Sequence, residues 1–508
     1  MKKITKRLVA VMLCLIMAVS VIPFSASAAN ERNIPHIDFR GFMNDPLFAD
    51  KDNAESDKIW PPSTDSIVSL VAKLLPWIGT FALSNDWNTL GDGLIPALNG
   101  LLAPLAYDNT GKAANNSGAY FKYPTAEEVK ADKYIPFTYD WRADPFDSAA
   151  KLNDLITYLT DDLGYPQVVL ECHSYAGIVM LTYLSTYGTS KVKSCVFGAS
   201  AVYGAGFAGN LVKGDVNIDG EALIEYLKGT FANNDLSKTL AGLLDALKAA
   251  GIADTLGEFV NKLFANLGNR LYKECIIPVL GYWPSVWSMV PDQDLAAGMN
   301  FAFNDILADS QEDYSALQAR IQKFNTNIRS SRVEKLLAVN AGCNVYVFSH
   351  YGFSGIPISA NWANMGDGVL NSTATSFGGT FKDFNSKEKF EAGKYVSPNG
   401  LVDASTALFK DQTWYIRSCK HGEKNDSLSE MAKVLLYTDG QATVDTYEQY
   451  PQFMMYVKSG DTGYVTADNY TQPGKEPENE NVKKAFNLFD IFNEIINFFK
   501  NLFAKLFG

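Results

Sequence analysis

"VVLECHSYAGIVML" (Val168–Leu181) is an apolar run broken by Cys172-His173-Ser174-Tyr175-Ala176-Gly177. Val168-Val169-Leu170 has the β-branched, apolar pattern of a strand buried on both faces, and Ile178-Val179-Met180-Leu181 begins a helix. A serine on so abrupt a strand-to-helix turn has the geometry of a nucleophile elbow. A plain strand–helix connection whose serine caps the helix gives the same local pattern. The rest of the chain has to separate the two.

Working outward, short β-branched and aromatic runs recur between helical stretches, at Ile37–Phe39, Ile135–Tyr139, Asn344–Phe348 and Thr413–Arg417, with Val192–Phe197 just after the elbow. Strands alternating with helices predict an α/β fold with a mostly parallel sheet covered on both faces. The alternation stops at residues 205–337. There a helical insertion carries the aromatic stretch "YWPSVWSMVP" (residues 282–291) and reads either as a cap over a site or as a separate helical domain. The sheet-forming parts are then residues 30–204 and 338–469.

The chain has 508 residues and a formal net charge of −12. That acidity excludes a nucleic-acid partner, whose backbone demands a basic surface. Lys2, Lys3, Lys6 and Arg7 precede an apolar run from Leu8 to Phe24 and then Ala26-Ser27-Ala28, so residues 1–29 read as a secretory signal peptide and the protein as secreted. Five cysteines remain beyond it: Cys172, Cys195, Cys275, Cys343 and Cys419. They are widely spaced, without the CxxC spacing of a zinc site and without a disulfide framework. "DVNIDG" (Asp215–Gly220) begins like a calcium loop, but its twelfth position is Tyr226 where a bidentate acid is needed, so it reads as a turn. No cofactor or metal is expected. A polar linker, residues 470–482, leads to an amphipathic helix at 483–508, whose apolar stripe either docks on the sheet domain or enters a lipid interface at the cell surface.

A serine nucleophile needs a base, and the chain has four histidines. His173 adjoins the serine and points elsewhere, His36 belongs to the first strand, and His350 reads as a strand-end residue. His421 follows the strand Thr413–Arg417. Elbow enzymes run in chain order serine, acid, histidine. Asp367, between Gly366 and Gly368 in a tight loop, is the acid in that order. Ser174, Asp367 and His421 are therefore the candidate triad.

The succession of "RGFMNDPL" (Arg40–Leu47), Trp60-Pro61, "YDWR" (Tyr139–Arg142), "CHSYAG", "PSVW" (Pro284–Trp287) and "GDGV" (Gly366–Val369) resembles the lecithin:cholesterol acyltransferase and lysosomal phospholipase A2 family. The resemblance spans roughly residues 34–425. It implies an α/β-hydrolase fold with a large helical cap and an acyl-enzyme mechanism on lipid esters. It further implies backbone N–H groups of Tyr175 and Phe42 as the oxyanion hole. The chain departs from the pattern at Cys172 and Ala176, where elbow glycines are usual, and around Arg40 and Asn44-Asp45 in the first loop. Trp283 and Trp287 are expected to line an apolar acyl site, and "YDWR" to be structural. The competing reading is a catalytically impaired domain of the same fold that binds a lipid or a surface. A peptidase on this fold is a third.

Overall fold

The computed structural model describes residues 34–468, apart from 224–225, 227–251, 359–361, 385, 424–425 and 460–461. The expected signal peptide, the expected linker from 470 and C-terminal amphipathic helix, and the stretch 227–251 of the insertion lie outside the described residues. Among the described residues no helix is long and apolar enough to cross a membrane.

Eight strands form one sheet: β1 His36–Phe39, β2 Tyr134–Pro136, β3 Val168–His173, β4 Val192–Gly198, β5 Asn344–Tyr351, β6 Thr413–Arg417, β7 Phe453–Ser459 and β8 Thr462–Ala467. Their order is β2-β1-β3-β4-β5-β6-β7-β8. All neighbouring pairs are parallel except β7–β8. The protein is thus an α/β fold built on a mostly parallel sheet flanked by helices.

The period-2 geometry of strands sorts the core into two layers. Leu170, Cys172, Cys195, Phe197, Val345 and Val347 face one apolar cluster, whereas Val169, Val196, Tyr346, Phe348, Trp414 and Ile416 face the other. Six helices matter for the site and its surroundings: α1 Thr64–Ser84, α2 Trp87–Leu102, α3 Pro145–Thr157, α4 Ala176–Tyr187, α5 Ile252–Leu271 and α6 Asp426–Tyr437. Helices α3 and α4 supply Leu152, Leu155, Ile178 and Val179 to the first layer, and α6 supplies Met431, Leu435 and Leu436 to the second. Each such side chain, fully withdrawn from water, contributes roughly 1.5–3 kcal/mol. Helix α3 starts where it does because Asp144 caps it by accepting from the Phe146 N–H, and Pro145 needs no partner at the first position.

The structure differs from the sequence reading in three places. The second strand ends at Pro136 instead of running to Tyr139. The hairpin β7–β8 extends the sheet beyond the last strand anticipated. Residues 64–102, assigned wholly to the sheet-forming part, fold as the hairpin α1–α2. Its Leu74, Ile78, Leu90 and Leu94 pack with Leu267 and Leu271 of α5 in an apolar cluster of their own.

Candidate active site

Strand β3 delivers Ser174 directly to α4. The serine adopts φ 61°, a left-handed conformation that a non-glycine residue holds only under structural constraint. Three backbone bonds impose it: the Ser174 N–H donates to Gly198 O at 3.0 Å, and Ser174 O accepts from Gly177 at 3.1 Å and from Ala201 at 3.0 Å. Cys172 does not crowd the turn. Its side chain lies buried in the apolar layer, and the turn's tight approaches fall on glycines elsewhere. A Cβ on Gly177 would stand 1.8 Å from Ser200 Oγ, and one on Gly198 3.1 Å from Cys172 O.

His421 lies four residues beyond the end of β6, after Ser418 has turned the chain through φ 58°. Its Nε2 is 2.8 Å from Ser174 Oγ, and its Nδ1 is 2.7 Å from Asp367 Oδ2. An ionised carboxylate can only accept, so Nδ1 carries the hydrogen and Nε2 is left to accept from the serine hydroxyl. Asp367 is fully buried in the loop after β5. Its Oδ1 accepts from Val369 N at 2.9 Å and Leu370 N at 2.7 Å, while its own carbonyl accepts from His421 N at 2.8 Å. Gly366 allows Leu370 O to approach, since a Cβ there would meet it at 2.5 Å, and Gly368 holds φ 97°. Burial pushes the Asp367 carboxyl up, but His421 and the loop N–H groups outweigh it and hold it below the usual carboxylate value.

No family model and no curated protein matches the chain. Among solved structures, a chain of "The crystal structure of Tle4-Tli4 complex" is similar over 35% of this chain and 48% of that one, at 13% identity with a TM-score of 0.19.

Tyr175 caps α4, whose first N–H groups have no acceptor within the helix. The loop after β1 passes over the same place. A Cβ on Gly41 would lie 2.4 Å from Ser174 Cβ, 2.7 Å from its Oγ and 3.0 Å from Tyr175 N. The next residue, Phe42, sets its ring against Trp141, Tyr175 and Trp283, at centroid distances of 5.0, 6.1 and 6.1 Å. The Gly41 turn and the backbone of Tyr175 thus lie against the serine, and Phe42 is the next residue along that turn. The necessity of glycine at 41 was not drawn from the sequence, although Gly41 next to a strand end was the available signal.

Trp283 and Trp287 are placed differently from the expectation. Both are buried to within 1%, and their indole N–H groups are taken up by backbone carbonyls, Leu105 O at 3.1 Å and Gly281 O at 2.7 Å. Trp283 packs the insertion against Phe42 and Trp141, Trp287 stacks on Phe303 within the insertion, and neither is exposed. "YDWR" is structural. Arg142 is fully buried and forks onto Asp140 at 2.9 and 2.6 Å, and Trp141 donates to Asp45 O at 2.9 Å. His36 is buried in β1 with Nε2 3.1 Å from Glu171 Oε2, out of line for a hydrogen bond. In the calcium-like stretch, Asp219 accepts from Ala222 N at 2.9 Å and Asn217 N donates to Ile358 O at 3.0 Å, as a turn does.

Proposed function

We propose that the protein is a serine hydrolase or acyltransferase acting on lipid esters through an acyl-enzyme. The observation that carries this reading is the continuous hydrogen-bonded chain Ser174–His421–Asp367, with the serine strained on a strand-to-helix turn. Ser174 attacks the ester carbonyl while His421 Nε2 takes its proton, and Asp367 orients the imidazole and stabilises its charged form. The tetrahedral oxyanion is met by the N–H groups of Tyr175 and Phe42, where one donor is worth roughly 2.7–4 kcal/mol. His421 then returns the proton to the leaving alcohol, and water or a second alcohol releases the acyl group.

The strand order supports the α/β-hydrolase fold. The elbow follows a central strand, its neighbour β1 supplies the loop over the serine, and the acid and the histidine follow the next strands but one and two, β5 and β6. Lipid esters as substrates, and export to the cell exterior, rest on the family resemblance and on the sequence of residues 1–29. The C-terminal helix is proposed as a contact with a lipid interface. The test is a fluorophosphonate probe on the folded mature protein, followed by a panel of phospholipids, triacylglycerols and p-nitrophenyl esters with acceptor alcohols present. Labelling that Ser174→Ala abolishes supports the reading. A folded protein that takes no label is a binding domain instead.

A further inference from the structure

The loop that crosses Ser174 also buries a carboxyl that the triad does not use. Asp45 is 7% exposed, and its Oδ2 has no hydrogen-bond partner. Its Oδ1 faces the Asn44 amide at 3.3 Å, and the Tyr139 backbone N–H is turned toward the carboxyl. Otherwise the loop is held by its carbonyls. The Tyr139 hydroxyl donates to Arg40 O at 2.7 Å, the Trp60 indole to Met43 O at 2.8 Å and the Trp141 indole to Asp45 O at 2.9 Å. Met43 between them holds φ 62°. One loop therefore contains a glycine pressed against the nucleophile, a left-handed methionine and a buried carboxyl with an orphan oxygen.

We propose that Asp45 is the positioning residue of this loop, keeping the Gly41–Phe42 turn over Ser174 only while its carboxyl is uncharged. The proposal rests on the acyl-enzyme reading, because the group being positioned is the second oxyanion donor. Burying an unpaired carboxylate is far less favourable than burying the neutral acid. Burial accordingly pushes the Asp45 carboxyl up to about 7, against the hydrogen bonds from Asn44 and Tyr139 and the charge of Arg40, with Asp38 adding to the rise. The cations that face it do not neutralise it. Arg40 pairs with Asp38, and the Lys151 amine on α3 lies over the Phe121 ring, leaving Asp45 Oδ2 without a partner.

The direction follows from a folded value above the unfolded one. The contribution of Asp45 to stability is complete below the ordinary carboxylate range and is lost as pH rises through about 7. Above that pH the carboxylate draws the loop toward water, and the oxyanion loses a donor that acts in the transition state. The loss should therefore appear in kcat and leave KM in place.

The experiment is the pH profile of kcat and KM for the wild type, Asp45→Asn and Asp45→Leu on a soluble ester. It is paired with the melting temperature of each in a Ser174→Ala background between pH 5 and 9. In the wild type, kcat should fall about tenfold per pH unit above the limb, the slope of one ionisation, with KM constant. Both uncharged variants should lose that limb, and the fall in melting temperature that the wild type shows as pH rises from 5 to about 7 should vanish. A limb that survives in both variants overturns the proposal. So does a melting-temperature slope removed by substitution while kcat keeps its limb, for Asp45 would then be structural only. Absence of turnover in every form, wild type included, sinks the hydrolase reading itself.

Discussion

His350 and His421 belong to the ends of adjacent strands, β5 and β6, and both sense the charge of Asp367, yet their environments are opposite. His350 is still inside its strand, opposite Ile416, and is 2% exposed. Its Nδ1 lies 3.3 Å from Lys420 O, and burial pushes its imidazole down to about 4, with the attraction of Asp367 too weak to restore it. His421 is carried out of the sheet by the turn at Ser418, and its side chain remains 14% exposed between carboxylate and serine. A general base works best near the operating pH, so the buried ring is a poor base wherever it points. The contrast teaches that a strand end only offers a position. The few residues after it decide whether a histidine enters the core or the site. In the proposed reaction, a neutral His350 also places no second positive charge beside His421 as that ring takes the serine proton.

The largest expected effect tests this contrast directly. Ser174→Ala and His421→Ala should each lower kcat by roughly 10⁴–10⁶-fold, and Asp367→Asn by about 10⁴-fold, with circular dichroism unchanged. His350→Ala should leave a far more active enzyme than His421→Ala. The reverse order would mean that the base has been assigned to the wrong strand end.

Next come the tryptophans of the insertion. Because Trp283 and Trp287 are buried and hydrogen-bonded to backbone, changing either to Ala should destabilise the protein by about 3–5 kcal/mol in denaturant unfolding. Activity per folded molecule should fall equally on long and short esters. A loss confined to long chains would return them to the substrate site.

Such differences show how far the sequence could be read. The order serine, acid, histidine was legible because each residue sits at a break between an apolar run and small residues, and such breaks are local. The sheet was legible up to β6 for the same reason. Burial of Trp283 and Trp287 was not, since an aromatic stretch without periodicity looks the same against a core as around a ligand. The hairpin α1–α2 was missed because its partner, α5, lies more than 150 residues away, and apolar helices declare their stripe but not what covers it. Gly41 is a tertiary constraint too. Nothing beside it in the sequence announces that Ser174 will press against its Cα.

That contact gives the next prediction. Gly41→Ala sets a methyl 2.4 Å from Ser174 Cβ and 3.0 Å from Tyr175 N, backbone and nucleophile that cannot swing aside. The loop must lift, removing the donor proposed at Phe42, so kcat should fall roughly 10²–10³-fold. Retained fluorophosphonate labelling would separate this lesion from loss of the nucleophile. Full activity would mean that the second oxyanion donor lies elsewhere.

The smallest effect returns to His350. Its folded value, about 4, lies below the ordinary 6.5 of an unfolded histidine, so the unfolded state takes up the proton first. Stability is complete above 6.5 and is lost as pH falls toward 4, a direction opposite to that of Asp45. At pH 5 the linkage amounts to about 2 kcal/mol relative to pH 7 for a shift of this size. His350→Gln, which cannot take up a proton, should therefore narrow the difference in unfolding free energy between pH 7 and pH 5 by that amount while changing kcat at pH 7 by less than about tenfold. An unchanged acid dependence would mean that the ring is hydrated when it charges, and that the environments of the two histidines differ less than their burial indicates.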